Sequence, residues 1–252
     1  DDAGFLFVDG AQNISPVGNA LTAQQSWNAG FPYSPKRWCN TISSPQRLAI
    51  AHTRLSIIDT SAAGHQPMCD TNSSIWIVHN GEIFNHLELR KELEALGHVF
   101  KSRTDTEVII NAYKQWGTAF LSHFDGMWSF ALLDLNNNTL ICSRDKTGVK
   151  PMYFYRNEHV FCFASEPKAL LCLPYVAKTI NHKAVVHYFN DGLLDVDGQT
   201  LLNEINELMP ATVLEIDLNN GKITQQKYYN CTSEIPFEKF DQKKSKVFAQ
   251  TL

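Results

Sequence analysis

Three segments of this chain have the pattern of β-hairpins, and this pattern limits the available folds more than any other feature. Each has two runs rich in β-branched and aromatic residues around a polar turn. MWSFALLDLNNNTLICSRD turns at residues 136–138, PMYFYRNEHVFCFAS at 156–158, and TVLEIDLNNGKITQQKYY at 219–221. Strands joined by such short turns pair antiparallel, so the sequence predicts extensive antiparallel sheet.

Two amphipathic helices accompany the hairpins. In HLELRKELEALGH, Leu89, Leu93 and Leu96 share one stripe, Asn85 is placed as the N-cap, and Gly97 is the stop signal. The second helix, TDTEVIINAYKQWG, opens with a capping box and also ends at a glycine. Because these helices must bury their apolar stripes on the sheet, the predicted fold class is α+β.

Composition excludes several classes of function. The 252 residues are 44% hydrophobic and carry a net charge of -4, which offers no electrostatic attraction to nucleic acid or to an anionic membrane surface. No apolar run approaches the roughly 20 residues that a membrane span needs. Six cysteines lack metal-ligand spacing, so we expect no metal site and reduced thiols in a cytoplasmic protein. They are Cys39, Cys69, Cys142, Cys162, Cys172 and Cys231.

Two segments differ in composition from the rest. Residues 5–46 contain much Pro, Ser, Asn and Gly with little periodicity, and we interpret them as a long surface loop or insertion. Residues 230–252 lose the strand pattern and become lysine-rich, which indicates a linker and the opening of a helix that leads to a further domain. The chain begins without Met and without a signal-peptide pattern, so we expect a processed or truncated start.

Five residues are candidates for a role in substrate binding or catalysis. Asn80, Gly81 and Glu82 lie where a strand is expected to turn into a helix, and a side-chain amide beside a free backbone N–H can form an oxyanion hole. The alternative is a turn without a ligand. Arg54 interrupts an apolar strand, but it could be a solvated edge residue. Asp105 is the first residue after a helix cap, where an acid also favours the helix dipole.

The residues alone do not provide a nucleophile. No G-x-S-x-G elbow is present, no cysteine has a recognisable catalytic setting, and the single His in GHQPM is weak evidence. We interpret Arg144-Asp145 as a structural ion pair at a turn. Without a nucleophile, the residues by themselves indicate an α+β domain with an oxyanion site.

Seven motifs then resemble a known family. RLSIID, AGHQPM, NGEIFN, LRKELEALGHVFKSRTDTEVI, GMWSFALLD, SRDKTGVKPMYFY and FASEPKALL occur in this order and spacing. Together they closely resemble the glutamine-hydrolysing domain of glutamine-dependent asparagine synthetases, densely from Leu48 to about Leu171 and more faintly to Tyr229. The resemblance implies a class II glutamine amidotransferase domain over residues 1–229. It also implies an N-terminal-nucleophile hydrolase fold, with two antiparallel sheets sandwiched between helices and the N-terminal strand and helix missing.

The resemblance also implies a role for each candidate residue. Arg54 would hold the glutamine α-carboxylate, Asp105 the α-ammonium group, and Glu82 would help to fix the same end of the substrate. Asn80 and Gly81 would be the oxyanion hole. In the family, a cysteine at the first position of the mature chain attacks the amide, and its own α-amino group acts as the base.

The departures from the family define what is expected of this chain. None of the six cysteines is at a chain start, so the nucleophile is absent and we expect no glutamine hydrolysis from this polypeptide alone. DDAGF is best aligned with the end of the family's R-G-P-D-D-x-G-F segment, although AGFL could instead match the strand after the nucleophile. We prefer truncation to true loss of the cysteine.

The implied parent enzyme would use glutamine, aspartate and ATP with Mg²⁺, the last three in a synthetase domain that is not part of this sequence. No cofactor is expected in the fragment itself. Two alternatives stay open: an amidotransferase with a different acceptor, and a catalytically dead domain that binds glutamine or serves as a scaffold. The resemblance is compatible with a homodimer and implies no nucleic-acid or membrane partner.

Overall fold

The computed structural model describes residues 2–9, 13–38, 46–55, 57–194 and 196–230. The predicted linker and helix at 230–252 lie outside these residues, except for residue 230. The strands are β1 (Asp2–Asp9), β2 (Ile14–Val17), β3 (Gln46–Arg54), β4 (Met68–Cys69), β5 (Ile75–Ile83), β6 (Gly126–Asp134), β7 (Thr139–Arg144), β8 (Tyr153–Arg156), β9 (Phe161–Ala164), β10 (Ile205–Glu207), β11 (Thr212–Asp217) and β12 (Ile223–Lys227). The helices are α1 (His86–Ala95), α2 (Asp105–Trp116), α3 (Pro167–Leu170) and α4 (His182–Asp191).

A six-stranded antiparallel sheet forms the centre of the structure, in the order β12-β11-β7-β6-β5-β4. It contains two of the predicted hairpins, β6–β7 and β11–β12, and the third hairpin is β8–β9. β6 is almost entirely apolar, and Trp128, Phe130 and Leu132 are fully buried because the sheet is covered on both faces. Helices α1 and α2 cover one face through Leu93, Ile109 and other apolar residues. The α+β class is therefore confirmed.

A second layer covers the opposite face and consists of two small sheets. One has the order β2-β1-β3 and the other β10-β8-β9, and every pairing in both is antiparallel. Leu6 and Ile50 of the first sheet share the main core with the six-stranded sheet, and Phe161 and Phe163 of the second pack against that core. Strands β3 and β9 are each an edge of their sheet, so hydrogen bonding divides this layer in two.

The predicted loop at residues 5–46 is wrong for its first part. Strand β1 pairs with β3 from Asp2 opposite Arg54 to Asp9 opposite Gln46, and β2 adds to the other edge of β1. Leu6 is fully buried in this strand. The apolar alternation at the chain start was masked by the polar composition that follows it, and the described remainder of the segment, residues 18–38, is indeed loop-like.

The two helices follow their sequence signals with specific exceptions. The Thr104 hydroxyl caps α2 by accepting the Glu107 N–H at 3.2 Å. The predicted capping box is incomplete, because the Glu107 carboxylate accepts the N–H groups of Lys101 and Ser102 and not that of Thr104. Asn85 precedes α1 but does not cap it, because its amide bonds to the backbone of residues 123 and 125. Leu96 is 52% exposed, so the buried stripe of α1 is shorter than expected. In the described part of the chain, no helix has the length and apolar character needed to cross a membrane.

Candidate active site

A cavity of about 440 Å³ lies where the ends of β3 and β5 meet the start of α2. All five candidate residues line it: Arg54, Asn80, Gly81, Glu82 and Asp105. They come from three elements that are separated in the sequence, so the structure brings together positions that the sequence shows only as isolated signals. The other lining residues include His52, Gln66, His79, Thr106, Met127, Lys150 and Ser165.

Asn80, Gly81 and Glu82 are not at a strand-to-helix corner, and this part of the prediction is wrong. All three lie inside β5, which continues to Ile83. Gly81 has φ of 154°, and a Cβ on it would come within 2.2 Å of the Met127 carbonyl oxygen on β6. A glycine is therefore required there because the neighbouring strand approaches so closely.

The direction of the β5 backbone groups follows from its pairing with β6. Phe84 donates its N–H to the Asp125 carbonyl at 2.8 Å, and Leu135 donates to the Ser74 carbonyl at 2.9 Å. Paired residues of an antiparallel ladder alternate in their hydrogen bonding. The even-numbered residues of β5 therefore point their backbone groups at β6, and the odd-numbered residues point theirs away from it.

Side chains replace a neighbouring strand along this outer edge of β5. Strand β4 pairs no further than residue 77. The buried Gln66 amide brackets His79, accepting its N–H at 2.6 Å and donating to its carbonyl at 3.3 Å. The Ile83 N–H donates to Asp105 Oδ2 at 3.0 Å. Gly81 lies between these two positions, and the same alternation points its N–H away from β6, on the side of the cavity that it lines.

The side chains of β5 alternate between its two faces. The His79 imidazole points to α2, where its Nδ1 lies 3.3 Å from Thr106 Oγ1. Asn80, the next residue, therefore points to the opposite face, between the two sheet layers. The Asn80 amide and the Gly81 N–H are thus adjacent donors at one cavity wall.

Arg54 lies at the end of β3 and is held by the loop that follows. Its Nη2 donates to the Asp59 carbonyl, and its guanidinium lies against Gly64, where a Cβ would come within 2.3 Å of Nη2. Burial lowers the pKa of Arg54, and Asp59, Asp2 and Asp105 counteract this, while an arginine stays charged in any case. No ion pair among the described residues includes Arg54.

The carboxylates of Glu82 and Asp105 face the same cavity as this cation. Asp105 is buried and uses Oδ2 to accept the Ile83 N–H, whereas Oδ1 takes part in no hydrogen bond among the described residues. Glu82 is half-buried. One guanidinium that is not in an ion pair with a carboxylate and two carboxylates in one cavity are complementary to a ligand that carries both a carboxylate and an ammonium group.

Two histidines lie beside the site, and the sequence did not indicate them. His52 Nε2 lies 3.0 Å from the His79 carbonyl, which makes Nε2 the donor and leaves Nδ1 as an acceptor. Nδ1 is buried without a partner in the described structure. Burial, with a contribution from His79, lowers the pKa of His52 to about 4. Burial also lowers the pKa of His79, although Asp105 opposes this.

Arg144 and Asp145 have structural roles, but they do not pair with each other as predicted. Arg144 forms an ion pair with Glu207 at 2.8 Å and donates to the carbonyls of Lys150 and Gly148 at 2.8 and 2.7 Å. Asp145 accepts backbone N–H groups of the same loop, including that of Lys150 at 2.9 Å. Both side chains therefore fix the loop after β7, whose Lys150 lines the cavity.

The described cysteines are not placed as nucleophiles for this cavity. Cys142 is fully buried, and Cys69 lines a separate cavity beside α2. Burial raises the pKa of both thiols, that of Cys69 to about 12. Cys162 packs with Tyr155 and Leu170, on the face of β9 opposite Phe161 and Phe163. None of the four described cysteines lines the cavity that contains Arg54 and Asn80.

An apolar groove leads into the cavity from between the two small sheets. It follows the free edges of β3 and β9 as two connected cavities of about 570 and 600 Å³. Its floor includes Val78, Phe130 and Ala131 of the six-stranded sheet. At one end of the groove, His52 and Asn80 line both the groove and the candidate active site. An extended segment in this groove could pair with both edges and reach the donors.

Comparison with known proteins places these residues within one domain family. Residues 37–229 match the family described as the glutamine amidotransferase domain, a range that contains all five candidate residues. The chain is 34% identical over 192 residues to asparagine synthetase [glutamine-hydrolyzing] 3 of Bacillus subtilis, which is 75% of this chain and 31% of that protein. It is 32% identical over 183 residues to amidase chyE of Penicillium rubens, which is 73% of this chain and 26% of that protein.

A solved structure supports the fold. Glutamine phosphoribosylpyrophosphate amidotransferase from B. subtilis, complexed with ADP and GMP, matches with a TM-score of 0.57 and 20% identity, over 90% of this chain and 43% of that one. This similarity confirms the N-terminal-nucleophile type of fold that the sequence predicted. The chain spans about a third of the length of the Bacillus synthetase and a quarter of that of the amidase.

Proposed function

Because this chain belongs to the glutamine amidotransferase domain family, we propose that its cavity binds L-glutamine and directs a cysteine thiolate to the side-chain amide. Arg54 binds the α-carboxylate, since a guanidinium fork matches the two oxygens. Asp105 binds the α-ammonium group through Oδ1, and Glu82 contributes to the same end. The charges of the site are thus complementary to those of a free amino acid.

Asn80 and Gly81 act on the other end of the substrate. Attack of the thiolate on the amide carbon places a negative charge on the carbonyl oxygen, and two fixed donors stabilise that charge. The observation that carries this proposal is the position of Gly81 on the edge of β5 that points away from β6, between His79 and Ile83, whose N–H groups are bound by side chains. When the carbon–nitrogen bond breaks, the departing amide nitrogen takes up the proton that the thiol gave to the α-amino base and leaves as ammonia. Water then hydrolyses the thioester, which releases glutamate and returns the thiol.

The nucleophile is proposed to reach the site on an extended segment in the groove between β3 and β9. The groove supports this because it ends at Asn80, and because an inserted strand would satisfy both sheet edges. A segment that enters along the groove would also come close to His52 Nδ1, which has no hydrogen-bond partner among the described residues. A first-position cysteine, as the family resemblance implies, is the natural candidate.

For the complete protein, we propose transfer of the ammonia to aspartate in an ATP- and Mg²⁺-dependent synthesis of asparagine. The name of the Bacillus relative supports this reaction. A different acceptor is the second candidate, because the name of the Penicillium relative, an amidase, does not specify aspartate. The two differ in the acceptor and not in the glutamine site described above.

Titration calorimetry with L-glutamine tests the binding proposal. We expect Arg54→Gln to weaken binding by about 100-fold, because a charge-assisted pair of hydrogen bonds is lost. Arg156→Gln is the matched control, since Arg156 is exposed on β8, away from the cavity. Equal affinities for the wild-type protein and the Arg54 variant would contradict the proposal.

A further inference from the structure

Residues 13–38, which contain β2 and the loop that follows it, reach over to the loop formed by residues 59–66. The buried Tyr33 donates its hydroxyl to the Ala63 carbonyl at 3.0 Å. Gln25 donates from Nε2 to the Thr60 carbonyl at 3.3 Å. Burial raises the pKa of Tyr33, so the phenol keeps its proton and remains a donor. Two carbonyls of the loop are therefore held by side chains from the 13–38 segment.

A second connection runs through Asp2 at the start of β1. Its carboxylate accepts the Ser26 hydroxyl at 2.7 Å and the Ala23 N–H at 2.8 Å. The same carboxylate lies 2.7 Å from His65 Nδ1, and both of these side chains are buried. Asp2 thus joins the 13–38 segment to the far end of the 59–66 loop.

The 59–66 loop is also the part of the chain that positions Arg54. Its Asp59 carbonyl accepts from the guanidinium, and Gly64 supplies the flat surface against which the guanidinium lies. The loop contains no strand, only a short 3-10 turn at Ala62–Gly64. Its position therefore depends on the side-chain contacts that surround it, those of Tyr33 and Asp2 among them.

We infer that the 13–38 segment is a positioning clamp for Arg54, with Tyr33 as its central residue, and that it sets the affinity of the cavity for the carboxylate of its ligand. The Tyr33 hydroxyl holds Ala63, and Ala63 precedes Gly64, on which the guanidinium lies. Residues 13–36 precede the family match, which begins at residue 37. The affinity effect rests on the proposed glutamine function, whereas the positioning of Arg54 does not.

The experiment compares Tyr33→Phe with Tyr113→Phe. Each variant loses one tyrosine hydroxyl hydrogen bond, and that of Tyr113 goes to Asp134, on the six-stranded sheet. Circular dichroism verifies that both variants fold. Amide hydrogen exchange then reports on Gly64 and His65, and the rate of phenylglyoxal modification of Arg54 is measured by peptide mass spectrometry. Calorimetry with L-glutamine is the third measurement.

In Tyr33→Phe we expect exchange at Gly64 and His65, and modification of Arg54, to be faster by about fivefold, the effect of one lost hydrogen bond. We expect glutamine binding to be weaker by a similar factor. Tyr113→Phe should change none of the three. Unchanged exchange or unchanged Arg54 modification in Tyr33→Phe would overturn the clamp. A wild-type protein that does not bind glutamine would instead overturn the proposed function, and the first two measurements would still decide the clamp.

Discussion

Asp105 accepts the backbone N–H of Ile83 at 3.0 Å, and this bond joins the first residue of α2 to the outer edge of β5. One carboxylate oxygen thereby takes the place of a neighbouring strand. Together with Gln66 at His79, it satisfies the edge on both sides of Gly81. The same residue therefore has a structural oxygen and a second oxygen available for a ligand, and these two roles can be separated by substitution.

The substitution Asp105→Asn should separate the structural role of Asp105 from its role in ligand binding. The amide oxygen of Asn can still accept the Ile83 N–H, but the negative charge is gone. We expect glutamine affinity in calorimetry to fall by about 10- to 100-fold, while the free energy of unfolding in urea changes by less than about 1 kcal/mol. Asp105→Ala should lower both, because the Ile83 N–H is then left unsatisfied. Full glutamine affinity in Asp105→Asn would remove Asp105 from the ammonium site.

Gly81→Ala should destabilise the protein far more than Gly97→Ala. Both glycines have positive φ, 154° and 93°, but only the Gly81 methyl group would collide with a backbone, 2.2 Å from the Met127 carbonyl. We expect a loss of about 1 kcal/mol at Gly97, from backbone strain alone, and of at least about 3 kcal/mol at Gly81. Urea unfolding of the two variants measures the difference. Similar losses would show that β6 can move away from β5.

Stability should fall as the pH decreases from 6.5 to 4. The pKa of His52 is lowered from 6.5 to about 4 in the folded protein, so the unfolded chain binds the proton more readily in this range. Protonation therefore favours unfolding by about 3 kcal/mol over the window, with a further contribution of the same sign from His79.

The variant His52→Gln should flatten this dependence in urea titrations at pH 7, 5.5 and 4.5. Exposed His159 is the control, and His159→Gln should retain the wild-type slope. The pKa values of Asp2, Asp59 and Asp145 are lowered, since hydrogen bonds outweigh the effect of burial, so their contribution is lost only below about pH 3.8. An unchanged slope in His52→Gln would contradict the neutral, buried state of this imidazole.

Arg144→Lys should be destabilising although the charge is kept. The guanidinium donates to three carbonyls and to Glu207 from one buried position, and an ammonium group cannot reproduce this geometry. We expect a loss of about 3 kcal/mol in the free energy of unfolding. Lys168→Ala, which breaks an exposed ion pair with Glu166, should leave thermal and urea unfolding unchanged. Equal behaviour of the two variants would argue against a structural role for Arg144.

The parts of the fold that the sequence predicted are those governed by local patterns. The three hairpins follow from alternation around polar turns, and the Thr104 cap and the buried side of α2 follow from spacing along one helix. The start of β1 was missed because a polar segment follows it directly, and its partner β3 lies more than 35 residues away. The end of β5 was misplaced because Asn80-Gly81 has the composition of a turn.

The sequence indicated the five candidate residues, and the family resemblance implied their roles, but neither indicated the groups that hold them. Gln66 meets His79 across 13 residues, and Tyr33 meets Ala63 across 30. Such contacts depend on how the layers pack, and no periodicity in the sequence reports them. His52 has an ordinary position in a strand, and only its burial with an unpartnered nitrogen distinguishes it.

A crystal structure of the protein with L-glutamine would show directly whether the cavity binds the substrate in the proposed orientation. We expect the α-carboxylate on Arg54, the α-ammonium group at Asp105, and the side-chain carbonyl oxygen within hydrogen-bond distance of the Gly81 N–H and the Asn80 amide. Glutamine bound with its side-chain amide directed away from Gly81, or bound outside this cavity, would contradict it.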